Sequence, residues 1–108
     1  MRDSPATEQA TDSAELVNAV GLHARPSVKL TQLAKTFACR VEIALSADGP
    51  WVDAKSPVKV MRVKAPCGAV LHVRASGPGA AAAAQALMAL VRGGFGEPSH
   101  EPADLSHG

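Results

Sequence analysis

Between Glu15 and Arg92 the apolar residues switch repeatedly between a period of two and a period near 3.6, which restricts the chain to a layered fold of strands and helices. Arg40–Ser46 alternates Val41, Ile43 and Leu45 on one face. Ala69–Ser76 alternates Leu71, Val73 and Ala75 against His72 and Arg74. Both have the pattern of half-buried strands. Glu15–Val20 reads as a short first strand, and the turn signal at Asp48, Gly49 and Pro50 returns the chain into Trp51–Ala54 as a hairpin partner. Leu30, Leu33, Ala34 and Phe37 instead recur at i, i+3, i+4 and i+7, one buried stripe of a helix. Ser56 before Pro57 has the form of an N-cap followed by proline at the first helical position, and predicts a second helix through Val63, with Pro66 and Gly68 beyond its end. The third helix, Gly79–Arg92, presents Ala80, Ala84, Leu87, Met88 and Val91 on one side and stops at Gly93 and Gly94. Its alanine run suits helix propensity and close packing on a sheet. The order βαββαβα predicts an α+β open-faced sandwich, a four-stranded, mainly antiparallel sheet covered on one face by three helices.

A chain of 108 residues makes one such domain. Residues 1–14 and 95–108 are polar and lack periodicity, so they read as flexible tails around a domain at 15–94. Phe37, Trp51 and Phe95 are the only aromatic residues, which leaves the core to aliphatic side chains. Cys39 and Cys67 form no CxxC pair, and His23, His72, His100 and His107 have no ligand spacing. Neither a metal nor another cofactor is expected, and reduced thiols fit a cytoplasmic protein. The N-terminus has no apolar signal core, and no apolar run approaches the roughly 18 residues of a membrane span. The formal charge of +1 conceals an asymmetry. Residues 18–74 hold nine Lys and Arg against three Asp and Glu, a net +6, and such a surface suits an acidic partner, a phosphorylated partner or nucleic acid.

The stretch NAVGLHARPSVKL, starting at Asn18, puts His23 and Arg25 where a helix begins, with Pro26 in the first turn. Unpaired backbone N–H groups and the positive end of the helix dipole make this an anion site. An imidazole nitrogen there can act as a nucleophile, and a guanidinium can fork onto phosphoryl oxygens. The same residues also suit a plain helix cap and a solvated charge. The residues alone leave both readings open.

GLHARP at Gly21–Pro26, then DGPWVDAKSPVKVM at Asp48–Met61 and CGAVLHVRASGPG at Cys67–Gly79, resemble the HPr family, the histidine-containing phosphocarriers of the bacterial phosphoenolpyruvate-dependent phosphotransferase system. The resemblance covers Glu15–Arg92 and implies the open-faced sandwich already read from the periodicity. It implies a carrier and not an enzyme. His23 would be phosphorylated at Nδ1 by phosphorylated Enzyme I and discharged to Enzyme IIA-type acceptors, Arg25 would contact the phosphoryl group, and Gly21 would make the turn into the histidine. Ser56 matches the position phosphorylated in some bacteria by an HPr-type serine kinase/phosphorylase. Pro57 departs from the apolar residue usual after that serine.

Partners would approach over the first two helices. Val28, Val58 and Met61 are candidate apolar contacts, with Lys29, Lys35, Lys59 and Arg62 as a basic rim. The chain is expected to act as a monomer without membrane insertion. The alternative within the family is a regulatory phosphocarrier in nitrogen or carbon signalling. A small basic nucleic-acid-binding domain is the remote alternative, opposed by the shortage of stacking aromatics and of any RNP or GXXG signature.

Overall fold

The computed structural model of the chain describes residues 8–97. Strand β1 (Gln9–Glu15) is followed by helix α1 (Ala24–Ala34), strands β2 (Arg40–Ala44) and β3 (Val52–Asp53), helix α2 (Pro57–Val63), strand β4 (Val70–Ser76) and helix α3 (Ala80–Arg92), after which Gly94–Gly96 form a 3₁₀ turn. The sheet order is β1-β4-β2-β3, and all three pairings are antiparallel. This is the α+β, βαββαβα sandwich expected from the periodicity.

The central strand β4 shows why the sheet is covered on one face. Leu71, Val73 and Ala75 are buried, whereas Arg74 is exposed and His72 and Ser76 are half-buried. Val41 and Ile43 of β2 pair with Ala75 and Val73, so they share that inner face, and Leu30 of α1, Val60 of α2, and Leu87, Met88 and Val91 of α3 close over it. On the other face the Arg74 guanidinium lies 4.4 Å from the centroid of the Trp51 ring, while its Nε donates to Glu42 Oε1 at 2.8 Å.

Strand β1 lies almost wholly within residues read as tail, and it overlaps the expected strand Glu15–Val20 only at Glu15. Its inward positions are Ala10, Asp12 and Ala14, opposite Ala75, Val73 and Leu71, and α3 packs directly on it. A polyalanine helix approaches a strand closely only when the strand is also small, so the inner face of β1 carries almost no hydrophobic signal. Leu16 continues the pairing irregularly, with its N–H donating to the Ala69 carbonyl at 2.8 Å and its carbonyl accepting from Gly68 at 2.7 Å. At the other end of the domain, Phe95 is 2 % exposed, so the core extends past residue 94. Residues 1–7 and 98–108 of the expected tails lie outside the described residues. Phe37 follows α1 and does not belong to its stripe. The helix ends at Ala34, and a turn carries the half-buried Phe37 against the core.

Helix α3 begins at Gly79, which has φ +81° and no side chain to cap with. The cap comes from outside the helix, since Glu8 Oε2 accepts from Ala81 N–H at 3.1 Å and Oε1 from Gly79 N–H at 3.4 Å. A carboxylate at a helix N-terminus satisfies orphan donors and complements the dipole. Glu8→Ala should therefore cost about 1 kcal/mol in chemical denaturation, with Glu8→Gln losing less. An unchanged denaturation midpoint for Glu8→Ala would show that the cap contributes nothing.

Candidate functional site

His23 is the N-cap residue of α1, with extended backbone angles φ −90° and ψ −168°. Its carbonyl accepts from Ser27 N–H at 2.9 Å, the first bond of the helix. Its side chain makes no capping hydrogen bond, so the ring is exposed and uncommitted at the helix mouth. Pro26 has no N–H, and the N–H groups of Ala24 and Arg25 have no intrahelical acceptor. An accessible imidazole thus sits at the N-terminus of α1, where the helix has backbone donors without intrahelical acceptors and a positive dipole end, and the exposed Arg25 lines the same depression.

Gly21 sets the approach to this helix. Its φ of +65° lies in the left-handed region, and a Cβ there would stand 2.8 Å from the backbone of both Pro66 and Cys67. Glycine is required twice, by conformation and by contact. The Leu22 N–H donates to the Ala65 carbonyl at 2.8 Å, the His23 N–H to the Gly21 carbonyl at 2.9 Å, and the Gly21 N–H to the Asn18 carbonyl at 3.1 Å. The Asn18 side chain adds a bond from Nδ2 to the Gly21 carbonyl at 2.8 Å.

His23, Ala24, Arg25, Pro26, Val28, Lys29, Val20 and Glu97 line a depression of about 780 Å³. Val20 and Glu97 were not legible as site residues. Val20 looked like the end of a strand, and Glu97 arrives only because the turn at Gly94–Gly96 folds the chain back toward α1. Lys29 is not a free rim charge. It is half-buried and its Nζ donates to the Phe95 carbonyl at 2.6 Å. Lys35, Lys59 and Arg62 are exposed, and Val28, Val58 and Met61 are 41 %, 53 % and 37 % exposed, so these three are surface groups and not core. Helices α1 and α2 pack on one another, which brings their exposed faces side by side.

Ser56 is the N-cap of α2, its hydroxyl accepting from Lys59 N–H at 3.4 Å, with Pro57 in the first turn. The helix ends at Lys64, a non-glycine residue at φ +53°, before Pro66 and Gly68 are reached. Among the described residues no three His, Cys, Asp or Glu side chains converge as a metal site, and no helix is long and apolar enough to cross a membrane.

Residues 10–93 match the PTS-HPr family, described as the PTS HPr component phosphorylation site. The "Phosphocarrier protein HPr" of Cupriavidus necator is 44% identical over 82 residues, covering 76% of this chain and 90% of that protein. The "Phosphocarrier protein NPr" of Escherichia coli K12 is 32% identical over 83 residues, covering 77% and 91%. Among solved structures, HPr-C-His from Thermoanaerobacter tengcongensis superposes with a TM-score of 0.74 at 32% identity, covering 82% of this chain and 97% of the other.

Because Gly21 meets backbone and not a flexible side chain, Gly21→Ala should destabilise the fold by about 2 kcal/mol or more. Thermal and denaturant melts would measure it. A variant within about 0.5 kcal/mol of wild type would show that the loop can move away without penalty.

Proposed function

The chain belongs to the HPr family of phosphotransferase-system phosphocarriers, and on that footing we propose that His23 takes the phosphoryl group from phosphorylated Enzyme I and yields it to an Enzyme IIA-type acceptor. The protein is a carrier and not a catalyst. The observation that carries the assignment to His23 is its exposed ring at the N-cap of α1, free of any capping bond and next to Arg25.

In the transfer, a lone pair of the His23 imidazole attacks phosphorus. The new N–P bond, at Nδ1 in this reading, forms as the donor's bond to phosphorus breaks, and that bond's electron pair stays with the donor. The arriving group brings two negative charges and strong acceptor oxygens. Arg25 and the N–H groups at the start of α1 are there to receive them. Binding at a helix terminus contributes about 0.3 to 2 kcal/mol, enough to orient a phosphoryl group without trapping it. A carrier requires that balance, since the reverse step must be equally easy on the acceptor.

The exposed Val20, Val28, Val58 and Met61 offer an apolar centre for Enzyme I or an acceptor to cover, and Lys35, Lys59 and Arg62 supply positive charge around it. The relative named HPr stands at 44% identity and the NPr relatives at 32% or below, which favours service in the phosphotransferase system proper over a separate signalling branch. Phosphorylation of Ser56 by an HPr-type serine kinase belongs to the same proposal. Ser56 is half-buried at the mouth of α2, so the kinase must displace its capping bond. Incubation with such a kinase and ATP should label wild type and not Ser56→Ala. Equal labelling of the two would exclude the site.

With phosphoenolpyruvate, magnesium and Enzyme I, wild type should acquire one acid-labile, base-stable phosphoryl group, and His23→Ala none. Labelling that survives in His23→Ala would move the acceptor elsewhere. Arg25→Ala should transfer about tenfold more slowly while its stability stays within about 0.5 kcal/mol, because the side chain is exposed. Normal kinetics would remove Arg25 from the site, and loss of the fold would make it structural.

A further inference from the structure

Asn18 stands five residues before His23 and is wholly buried, yet it belongs neither to the apolar core nor to the lining of the depression around His23. It grips Gly21 at both ends. The Asn18 carbonyl accepts the Gly21 N–H at 3.1 Å, and Asn18 Nδ2 donates to the Gly21 carbonyl at 2.8 Å. The same Gly21 carbonyl accepts the His23 N–H at 2.9 Å. One carbonyl therefore joins the buried amide to the backbone of the phosphoacceptor. The amide orientation follows from the acceptor, since turning the group over would set two oxygens against each other.

The other end of that amide is unfavourable. Asn18 Oδ1 is buried and has no hydrogen-bond partner among the described residues. An unpaired buried acceptor is a cost to stability that an apolar side chain of the same shape avoids. If Asn18 served only to fill space, leucine would serve better. What leucine cannot do is donate to the Gly21 carbonyl.

The geometry points to Asn18 as a positioning residue for phosphoryl transfer. By holding the Gly21 carbonyl it fixes the turn Gly21–His23, and with it the direction in which the imidazole leaves the N-cap relative to Arg25 and the free N–H groups of α1. This role rests on His23 being the acceptor. Asn18 has 0 % exposure, so it can touch neither Enzyme I nor a IIA-type acceptor, and its influence runs through geometry alone. Transfer chemistry is steep in such geometry, because a small displacement of a reacting group far outweighs the loss of one neutral hydrogen bond.

The test compares Asn18→Leu and Asn18→Ala with wild type in Enzyme I-dependent phosphorylation and in thermal melts, at a temperature where every protein is folded. Asn18→Leu should melt no lower than wild type. Its maximal transfer rate should nevertheless fall roughly tenfold with an unchanged KM for this protein as Enzyme I substrate, and Asn18→Ala should show the same split. Folded variants that transfer at the wild-type rate, or that change KM alone, would overturn the proposal. So would failure of both variants to fold, which would make the contact architectural. Wild type labelled in the same assay separates this proposal from the one beneath it. If wild type takes no phosphoryl group on His23, the function assigned to His23 fails, and if it does while Asn18→Leu matches it, only the role of Asn18 fails.

Discussion

The close approach of Gly21 to the backbone of Ala65, Pro66 and Cys67 is the contact on which the rest of the site depends. It places the entry to α1 against the segment joining α2 to β4, two parts of the chain more than forty residues apart. The Leu22 N–H to Ala65 carbonyl bond seals the join. Once it is made, α1 starts at one place and in one direction, and the helix mouth carrying His23 is anchored to the sheet through β4. A Cβ at residue 21 would force these two backbones apart, and the start of α1 would shift with them.

From that anchor the chemistry of the site is largely electrostatic. An N-cap residue with a free side chain, a proline that removes one donor and a helix whose next two N–H groups have no intrahelical acceptor give a small region of positive potential with an imidazole inside it. Arg25 adds a full charge at the rim. Lys29, four residues farther along the helix, is turned to the Phe95 carbonyl instead, and so fastens the segment after α3 beside the site. Gly94, Phe95 and Gly96 all have positive φ, which lets the chain reverse at once after α3 and bury the Phe95 ring while Glu97 reaches the depression. A carboxylate there opposes the accumulation of positive charge from Arg25, Lys29 and the helix end.

The packing of α3 shows the same economy of contact. Helix α3 packs on β1, and its buried side is small in the first half, with Ala80, Ala83 and Ala84, and larger in the second, with Leu87, Met88 and Val91. The helix has no capping side chain of its own, and Glu8, at the start of β1, supplies the cap across the sheet. Strand and helix are therefore fastened twice, by apolar contact along their length and by a carboxylate at one end. The salt bridge from Arg92 to Asp12, at 3.3 Å, adds a partly exposed contact of small weight at the other.

Much of this was determined by the sequence alone, because the information is local. Period-two alternation in β4 and at Val41 and Ile43 of β2, the Ser56–Pro57 start of α2, the apolar side of α3 and the GLHARP hexapeptide each depend on residues within a few positions of one another, whereas Leu45, expected on the same face as Val41 and Ile43, lies past the end of β2 and is exposed. The tertiary structure decided what depends on distant partners. Strand β1 was hidden because its inner residues are small to fit α3. The buried Phe95 lay in a polar segment with no periodicity, and the half-buried Lys29 looked like a surface charge until the Phe95 carbonyl reached it. Asn18 is the clearest case. In sequence it is a polar residue near a turn, and only the packing that removes it from water turns one of its amide ends into a grip on Gly21 and leaves the other without a partner. Periodicity reports which side of an element meets the core, but the pairing of a buried polar atom is set by the three-dimensional neighbours that replace its water.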